Sequence, residues 1–218
     1  MECYFVNNLN LPFNDRIRKG ELYDKFIDEY FVPADIVCIA GGISEFLDVT
    51  ASFLIHLCKK YRGVFYVYGG CDMISDMPLD EKFERIKNKF NYLQKVKCKP
   101  VRLDGTCVKV QKYVIGGAGG FDKNENISSW DWWTNDKNAI FNDERERLLK
   151  VINNEQVPSI ALSYYHPEKM GITSNMDIWH YGASSVKEIT EADGKLILTN
   201  DCHSDNTKFD KRDFLINI

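Results

Sequence analysis

The sequence predicts one α/β domain, a four-layer α/β/β/α sandwich in which two mixed sheets pack face to face with helices outside. In the first half, short apolar runs rich in Val, Ile and aromatic residues alternate with longer segments of helical period, as in α/β folds. The second half ends in four short strands separated by turns, which favours a second sheet packed on the first. A length of 218 residues suits a single domain, residues 1–218, with one buried core.

Strands and helices alternate regularly in the first third of the chain. The predicted elements are, in order, strand 3–6, helix 21–31, strand 35–40, helix 46–61 and strand 64–68. Apolar residues at helical spacing mark both helices, which Pro33 and Gly63 end. The two later strands are largely apolar, as buried parallel strands are, and a glycine pair follows each of them.

The next segment predicts a helix and a hairpin. Apolar residues at helical spacing indicate the third helix; they are Phe83, Ile86, Phe90 and Leu93. The dipeptide Asp104-Gly105 predicts a hairpin turn that pairs residues 101–103 with residues 108–110.

A strand at residues 113–115 runs into the glycine-rich stretch 116–120, where the backbone can bend sharply or admit another group closely. The loop 121–142 follows and contains three tryptophans, Trp130, Trp132 and Trp133. Loops of this length are usually functional, so these side chains form a lid over a cleft, a docking surface, or a cap on the edge of the core.

The last third predicts one helix and four strands. Asp143 is expected to cap a helix that runs through Ile152. The predicted strands are 159–163, 177–182, 186–190 and 196–200. Asp193-Gly194 predicts a hairpin turn between the last two strands.

Composition narrows the function classes. The formal net charge of −4 predicts no basic surface for non-specific nucleic-acid binding. The sequence shows neither a secretory signal nor an apolar run of about 18 residues, which favours a cytoplasmic, intracellular protein without membrane contact. Seven cysteines without a C-x-x-C pair argue against a disulfide framework or structural zinc, and favour reduced thiols.

Five strand-to-loop junctions form an ordered pattern. They are Asn8-Leu9-Asn10, Gly41-Gly42-Ile43-Ser44-Glu45, Gly69-Gly70-Cys71-Asp72, Tyr164-Tyr165-His166-Pro167 and Tyr181-Gly182-Ala183-Ser184-Ser185. Their order and positions resemble the motifs D-x-H, G-D-x-x-[DE], G-N-H-[DE], a histidine near a proline, and G-H-x-H of the calcineurin-like metallophosphoesterase superfamily. The resemblance covers almost the whole chain as a scaffold, and it implies a two-metal hydrolytic site at these strand ends.

The same resemblance implies that most metal ligands are replaced. The replacements are Asn8 for the first aspartate, Asn10 for a histidine, Gly42 for the bridging aspartate, Gly70 for the metal-binding asparagine, Cys71 for the catalytic histidine, Tyr165 for the histidine before proline, and Ala183 and Ser185 for the two histidines of the last motif. A two-metal phosphoesterase needs carboxylates and imidazoles to hold its cations and activate water. Glycine offers no ligand, and a carboxamide offers oxygen without charge.

The sequence therefore predicts a degenerate, catalytically inactive phosphoesterase-like protein, a pseudoenzyme with no metal and no cofactor. The alternative is an active phosphoesterase or nucleotide hydrolase with a rebuilt, single-metal site that would use Mn, Fe or Zn. Its candidate ligands are Asp72, His166, His180 and His203. Asp72 has a structural interpretation as a capping carboxylate, and His180 as a packed strand residue. Cys71 could be a thiol nucleophile, but the sequence shows no basic phosphate cradle near it.

The expected role of a pseudoenzyme is that of a binding or regulatory module. Its ligand would be a protein, or a small molecule such as a nucleotide in the former catalytic cleft. The chain could also form a homo-oligomer, or pair with an active relative as a regulator. A small, aromatic-rich chain with degenerate catalytic motifs would suit a phage product.

Overall fold

The computed structural model describes most of the chain. The described residues are 1–11, 20–91, 97–119, 142–150, 159–166, 168, 176–184, 186–192, 194–202, 204 and 208–218. Within these ranges the backbone forms eleven strands, arranged in two sheets, with helices packed on them.

The strands are β1 (Glu2–Val6), β2 (Ile36–Ala40), β3 (Gly63–Val67), β4 (Val101–Arg102), β5 (Cys107–Val110), β6 (Tyr113–Ala118), β7 (Ser159–Ser163), β8 (Ile178–Tyr181), β9 (Lys187–Ala192), β10 (Lys195–Asn200) and β11 (Leu215–Asn217). The helices are α1 (Gly20–Tyr30), α2 (Leu47–Lys60), α3 (Leu79–Asn91) and α4, described over residues 142–150. One 3₁₀ turn, Gly70–Met73, follows β3, and another, Lys211–Phe214, precedes β11.

Both sheets are mixed. The first sheet has the strand order β11-β1-β2-β3-β4, in which β1 to β4 run parallel and β11 is antiparallel at one edge. The second sheet has the order β5-β6-β7-β8-β10-β9, in which β6, β7, β8 and β10 run parallel and the two edge strands are antiparallel. Two packed mixed sheets confirm the predicted sandwich.

Helices cover the outer faces of the sandwich. Helix α2 contacts β3 of the first sheet and also contacts α1 and α3. Leu148 of α4 is buried with Ala161 and Trp179 on the outer face of the second sheet. Because side chains alternate along a strand, Ile160 and Leu162 of β7 point instead into the core between the sheets. The result is a four-layer structure with both faces of β7 buried.

The two sheets approach closely at Gly117 of β6. A Cβ atom at this position would lie 2.7 Å from Val67 Cγ1 and 2.9 Å from Leu103 Cβ, across the space between the layers. Glycine inside a strand often marks such a close approach. The absence of a side chain at Gly117 therefore helps to set the spacing between the sheets.

Polar groups join the two sheets where β1 and β10 end. Asn7 N–H donates to Asn200 O at 3.0 Å, and Asn200 N–H donates to Asn7 Oδ1 at 2.7 Å. The ring nitrogens of His180 lie 3.0 Å from Val6 O and 3.2 Å from Leu198 O. Burial lowers the pKa of His180 to about 4, and its contacts with the two carbonyl oxygens oppose that decrease.

One predicted pairing is wrong, because residues 101–103 and 108–110 do not form a hairpin. Strand β4 pairs with β3 in the first sheet, whereas β5 pairs with β6 in the second. Gly105 has a φ of +83°, and its N–H donates to Gly117 O at 2.8 Å. The Asp104-Gly105 turn thus carries the chain from one layer to the other, and the tight hairpin occurs at Gln111, whose φ is +54°.

The remaining differences from the sequence prediction are local. Asp143 is not the cap of α4, since residue 142 is already helical; its carboxylate pairs with Arg147 one turn later at 2.9 Å. Strand β6 continues through its glycines to Ala118, and β11 has no counterpart in the prediction. Three groups of predicted features lie outside the described residues: Leu93 and Ile152, the tryptophans Trp130, Trp132 and Trp133, and Asp193 of the confirmed β9–β10 hairpin.

No helix in the described ranges is both long enough and apolar enough to cross a bilayer.

Gly117→Ala should destabilise the protein, because the added methyl group would press against Val67 and Leu103. Overpacking of this kind typically costs about 1–3 kcal/mol of unfolding free energy, which urea denaturation can measure. Exposed Glu191 provides a control, since Glu191→Ala should change the unfolding free energy by less than about 0.5 kcal/mol. A Gly117→Ala protein as stable as the wild type would contradict the close approach.

Candidate functional site

The carboxyl ends of the parallel strands in the first sheet are linked by main-chain hydrogen bonds. Asn8 N–H, just after β1, donates to Gly41 O at 3.1 Å. Gly42 N–H, just after β2, donates to Gly69 O at 3.2 Å. Because the carboxyl ends of parallel strands lie at one edge of a sheet, the first three predicted junctions meet there.

Strands β7 and β8 of the second sheet end at the same edge of the sandwich. Gly182 N–H donates to Tyr164 O at 3.0 Å, and Gly182 O accepts a hydrogen bond from Asn7 Nδ2 at 3.1 Å. Gly182 also lies so close to Ala40 that a Cβ atom at position 182 would overlap the Ala40 carbonyl oxygen. The structure therefore brings parts of all five predicted junctions together.

The ring of Tyr164 fills the space among the glycines at these strand ends. Gly41, Gly69, Gly70 and Gly182 form a surface without side chains, which we call the glycine cradle. A Cβ atom at Gly41 or Gly70 would lie 2.9 Å from a carbon atom of the Tyr164 ring, and one at Gly69 would overlap the ring. Gly41 and Gly70 also have positive φ values of +81° and +53°, which favour glycine. The ring and the cradle therefore fit each other.

Tyr165, the next residue, contacts Tyr164 edge to face, with the two ring centroids 5.1 Å apart. It is buried in the outer cluster with Ala161 and Trp179. Ser163 Oγ donates to Tyr165 O and accepts a hydrogen bond from Trp179 Nε1 at 2.7 Å. Tyr164 rather than Tyr165 thus faces the strand-end edge.

The two asparagines of the first junction both adopt left-handed backbone conformations. Asn8 has a φ of +51°, and its Nδ2 donates to Ser184 O and, at 3.4 Å, to Asp201 Oδ2. Asn10 has a φ of +41°, is exposed, and donates its N–H to Gly42 O at 2.8 Å. A Cβ atom at Gly42 would lie 2.8 Å from Asn8 Oδ1, so position 42 has no room for a side chain.

The carboxylate of Asp72 organises the loop that follows β2. Its two oxygens accept hydrogen bonds from four backbone N–H groups, those of Gly42 at 2.7 Å, Ile43 at 2.9 Å, Ser44 at 2.9 Å and Gly69 at 3.2 Å. The side chain is almost completely buried. Asp72 therefore acts as the internal anion for main-chain donors from two strand ends.

Lys82 on α3 supports the same loop from the other side. Its ammonium group donates to the carbonyl oxygens of Glu45 and Asp72 at 2.8 Å and of Ile74 at 2.7 Å. Burial raises the pKa of Asp72 to about 6, and the four N–H donors and Lys82 oppose that increase without cancelling it. Burial also lowers the pKa of Lys82, against the attraction of Asp72.

No family model matches the chain, and no curated protein matches it. Among solved structures, the chain is similar to phosphopantetheinyl hydrolase from Mycobacterium tuberculosis, with a TM-score of 0.58 and 11% identity over 99% of this chain and 95% of that one. The chain has a metallophosphoesterase-like fold.

Two further structures align less closely. GAP50, the anchor in the inner membrane complex of Plasmodium, has a TM-score of 0.47 and 11% identity, over 92% of this chain and 71% of that one. Vps29 from Entamoeba histolytica has a TM-score of 0.35 and 14% identity, over 94% of this chain and 76% of that one. At these identities the likeness concerns the fold alone.

In this metallophosphoesterase-like fold, the three described candidates for a rebuilt metal site, Asp72, His166 and His180, have separate surroundings. His180 lies between the sheets, bonded to main-chain carbonyls, and Asp72 is enclosed by backbone amides. His166 is partly exposed, with its ring centroid 4.9 Å from that of Tyr181 and its Nδ1 3.8 Å from the Glu168 carboxylate. In the part of the chain that the structure describes, no group of three or more His, Cys, Asp or Glu side chains could hold a metal ion.

The other candidate positions provide little chemistry. Cys71 is partly buried, and burial raises the pKa of its thiol well above the ordinary value, with the Asp72 charge adding to the effect. Ala183 is exposed and donates its N–H to Tyr164 O at 2.5 Å. Ser185 and His203 lie outside the described residues.

Two residues that organise this edge of the metallophosphoesterase-like fold are absent from the sequence-based candidates. Tyr164 has no clear sequence signal, because it lies in the bend after β7 and packs against both the cradle and the outer cluster. Lys82 also lacks a signal, since a lysine on an amphipathic helix ordinarily points to solvent.

Tyr164→Ala should lower the unfolding free energy by about 2–4 kcal/mol, because the glycines around the lost ring have no side chains with which to fill the cavity. Tyr164→Phe keeps the ring and should cost less than about 1.5 kcal/mol. Chemical denaturation of the two variants beside the wild type measures the difference. Equal stability of the alanine and phenylalanine variants would show that the ring does not pack as described.

Titration of Asp72 makes the unfolding free energy depend on pH, and the direction follows from the shift in its pKa. Its pKa rises from 3.8 to about 6 on folding, so between these values the folded state binds more protons than the unfolded state. The contribution of this group to the unfolding free energy is fully present below about pH 4 and is lost as the pH rises through about 6, by up to about 3 kcal/mol.

Asp72→Asn should remove this dependence. At pH 7 the variant should be less stable than the wild type by about 2 kcal/mol, because an amide NH₂ group would face two backbone N–H donors. The stability difference between the two proteins should widen as the pH falls from 7 to 4. Urea denaturation across that range tests the sign, and a difference that narrows on acidification would refute it.

Proposed function

We propose that this protein is a non-catalytic protein with a metallophosphoesterase-like fold that serves as a binding or regulatory module. The observation that carries the proposal is the Tyr164 ring in the glycine cradle. The ring lies at the strand ends where the resemblance implies a two-metal centre, and it packs directly against Gly41, Gly69 and Gly70.

The donor groups at this edge do not fit a pair of divalent cations. Asn8 and Asn10 offer uncharged amides, while Gly42 and Gly70 offer no side chain. Asn8 Oδ1 also blocks the space that a bridging carboxylate at position 42 would occupy. Divalent cations require several oxygen or nitrogen ligands, with enough negative charge to offset their dehydration.

Two carboxylates near this edge already have partners. Asp72 accepts four backbone N–H bonds, three from the loop after β2 and one from Gly69 of the cradle. Asp201 Oδ2 accepts a hydrogen bond from Asn8 Nδ2 at 3.4 Å. The local negative charge is thus used to hold the main chain and Asn8, which supports a structural role for these groups.

The same packing favours a protein partner over a small ligand. A nucleotide or another small molecule in the former cleft would have to displace the Tyr164 ring from the cradle. A protein could instead dock on the outer surface of the loops, where Asn10 and Ala183 are exposed, without that cost.

Metal analysis and hydrolysis assays test the proposal directly. The purified protein, dialysed against Mn²⁺, Fe²⁺ or Zn²⁺, should retain no stoichiometric metal by elemental mass spectrometry. It should also show no turnover of p-nitrophenyl phosphate, bis-p-nitrophenyl phosphate or nucleotides above the metal-only background. Two equivalents of bound metal, or turnover that co-purifies with the protein, would overturn the proposal.

If turnover is found, a pair of histidine variants decides whether a rebuilt site causes it. His166→Ala should abolish activity that depends on such a site. His56→Ala is the matched control, because His56 Nδ1 lies 2.8 Å from Ser52 O within α2 and belongs to none of the five junctions. Loss in the first variant alone would establish the hydrolase alternative.

A further inference from the structure

Two cysteines from separate elements lie in contact at the end of α2. The sulfur atoms of Cys58 and Cys98 are 3.1 Å apart. Cys58 belongs to the last turns of α2, and Cys98 precedes β4. Lys97 N–H donates to Cys58 O at 2.9 Å, so the two main-chain segments are also bonded together. The contact is therefore fixed by the backbone and does not depend on rotamers alone.

The two thiols differ in access and in acidity. Cys58 is buried, whereas Cys98 is partly exposed. The pKa of Cys98 is lowered by the hydrogen bond that its sulfur shares with Cys58, and the backbone N–H of Val64 adds to this effect. Since the thiolate is the reactive form of cysteine, the accessible sulfur of the pair is also the more reactive one.

A second cysteine pair in the same chain has the opposite properties. Cys3 on β1 and Cys38 on β2 have their sulfur atoms 3.5 Å apart, and both side chains are completely buried. Burial raises the pKa of Cys3 well above its ordinary value. Because both side chains are completely buried, this pair is shielded from oxidants and provides an internal reference for the exposed pair.

We propose that Cys98 and Cys58 form an oxidation site for hydroperoxides, with Cys98 as the attacking thiol and Cys58 as the resolving thiol. The Cys98 thiolate attacks one peroxide oxygen, the O–O bond breaks, and the leaving oxygen is protonated to water or an alcohol. The resulting sulfenic acid is then attacked by Cys58. The S–O bond breaks, a disulfide forms, and the departing hydroxide takes the Cys58 proton to leave as water. The two thiols together lose two electrons, and these two electrons reduce one peroxide molecule.

The disulfide would close a loop of chain that carries part of the strand-end edge. The segment between the two cysteines contains β3, the 3₁₀ turn Gly70–Met73 with Asp72, and α3 with Lys82. Oxidation would therefore tie together the two ends of the segment that holds the loop after β2. This inference does not depend on the proposed lack of catalysis, because neither cysteine touches the cradle.

The test is a titration of the full chain with hydrogen peroxide, followed by alkylation of the remaining thiols and peptide mass spectrometry. We expect a linked Cys58–Cys98 peptide, lighter by two hydrogens than its reduced parts, as the first product. Cys3 and Cys38 should remain reduced, and native alkylation should be at least about tenfold slower at Cys3 than at Cys98. Cys71 and Cys202 should also remain reduced, because burial raises their thiol pKa values.

Three variants distinguish the attacking role of Cys98 from the resolving role of Cys58. Cys98→Ser should prevent the disulfide without changing the folded far-ultraviolet spectrum, since position 98 is partly exposed. Cys58→Ser should allow a sulfenic acid to accumulate on Cys98, which dimedone traps. Cys38→Ser is the matched control and should leave the rate of disulfide formation unchanged.

Several results would overturn the proposal. Oxidation of Cys98 no faster than that of Cys71 would do so, as would a first disulfide that involves another cysteine. Conversion of wild-type Cys98 to sulfinic acid without a link to Cys58 would show that Cys58 does not resolve it. If Cys58→Ser fails to fold, the wild-type peptide map and Cys98→Ser still decide the question.

Discussion

The packing of one aromatic ring against glycines determines which groups can hold the loops at the strand-end edge. Because the Tyr164 ring lies against Gly41, Gly69 and Gly70, a side chain at any of the three would displace it. The glycines themselves have no side chains with which to pack, and polar groups hold their main chain instead. Asp72 does so in the first sheet through four N–H bonds, and Asn7 does so between the sheets through Gly182 O.

The charge balance of this edge follows from the same arrangement. The buried carboxylate of Asp72 is neutralised by main-chain dipoles and by nearby Lys82, whose ammonium group bonds three carbonyls of the adjoining loops. Each charge thus has its counterpart within the protein, and the burial cost shows in the raised pKa of Asp72 and the lowered pKa of Lys82. A bound cation is not needed to satisfy either group.

The sequence predicted the sandwich because apolar strands, helical periods and glycine pairs are local signals, and the structure preserves them in order. It mispredicted the hairpin at Asp104-Gly105, because such a dipeptide specifies a turn without specifying which sheet each arm joins. That choice depends on non-local contacts, such as Leu103 N–H to Tyr66 O at 2.8 Å. At the site, motif order predicted which loops meet, whereas the packing of Tyr164 in the bend after β7 had no clear sequence signal.

Most of the core lies away from the strand-end loops, although Leu9 and Ile43 of those loops also belong to it. Residues such as Val37, Ile39 and Leu162 are buried between the layers, and none of them belongs to the strand-end loops. In a metal-binding protein the ions also cross-link the loops that hold them, so their loss costs stability unless another contact replaces them. In the proposed non-catalytic protein, the Tyr164 ring is that contact, because it touches loops from both sheets. A packed aromatic ring can link these loops without charged side chains or metal ligands. Glycines are therefore compatible with these strand ends.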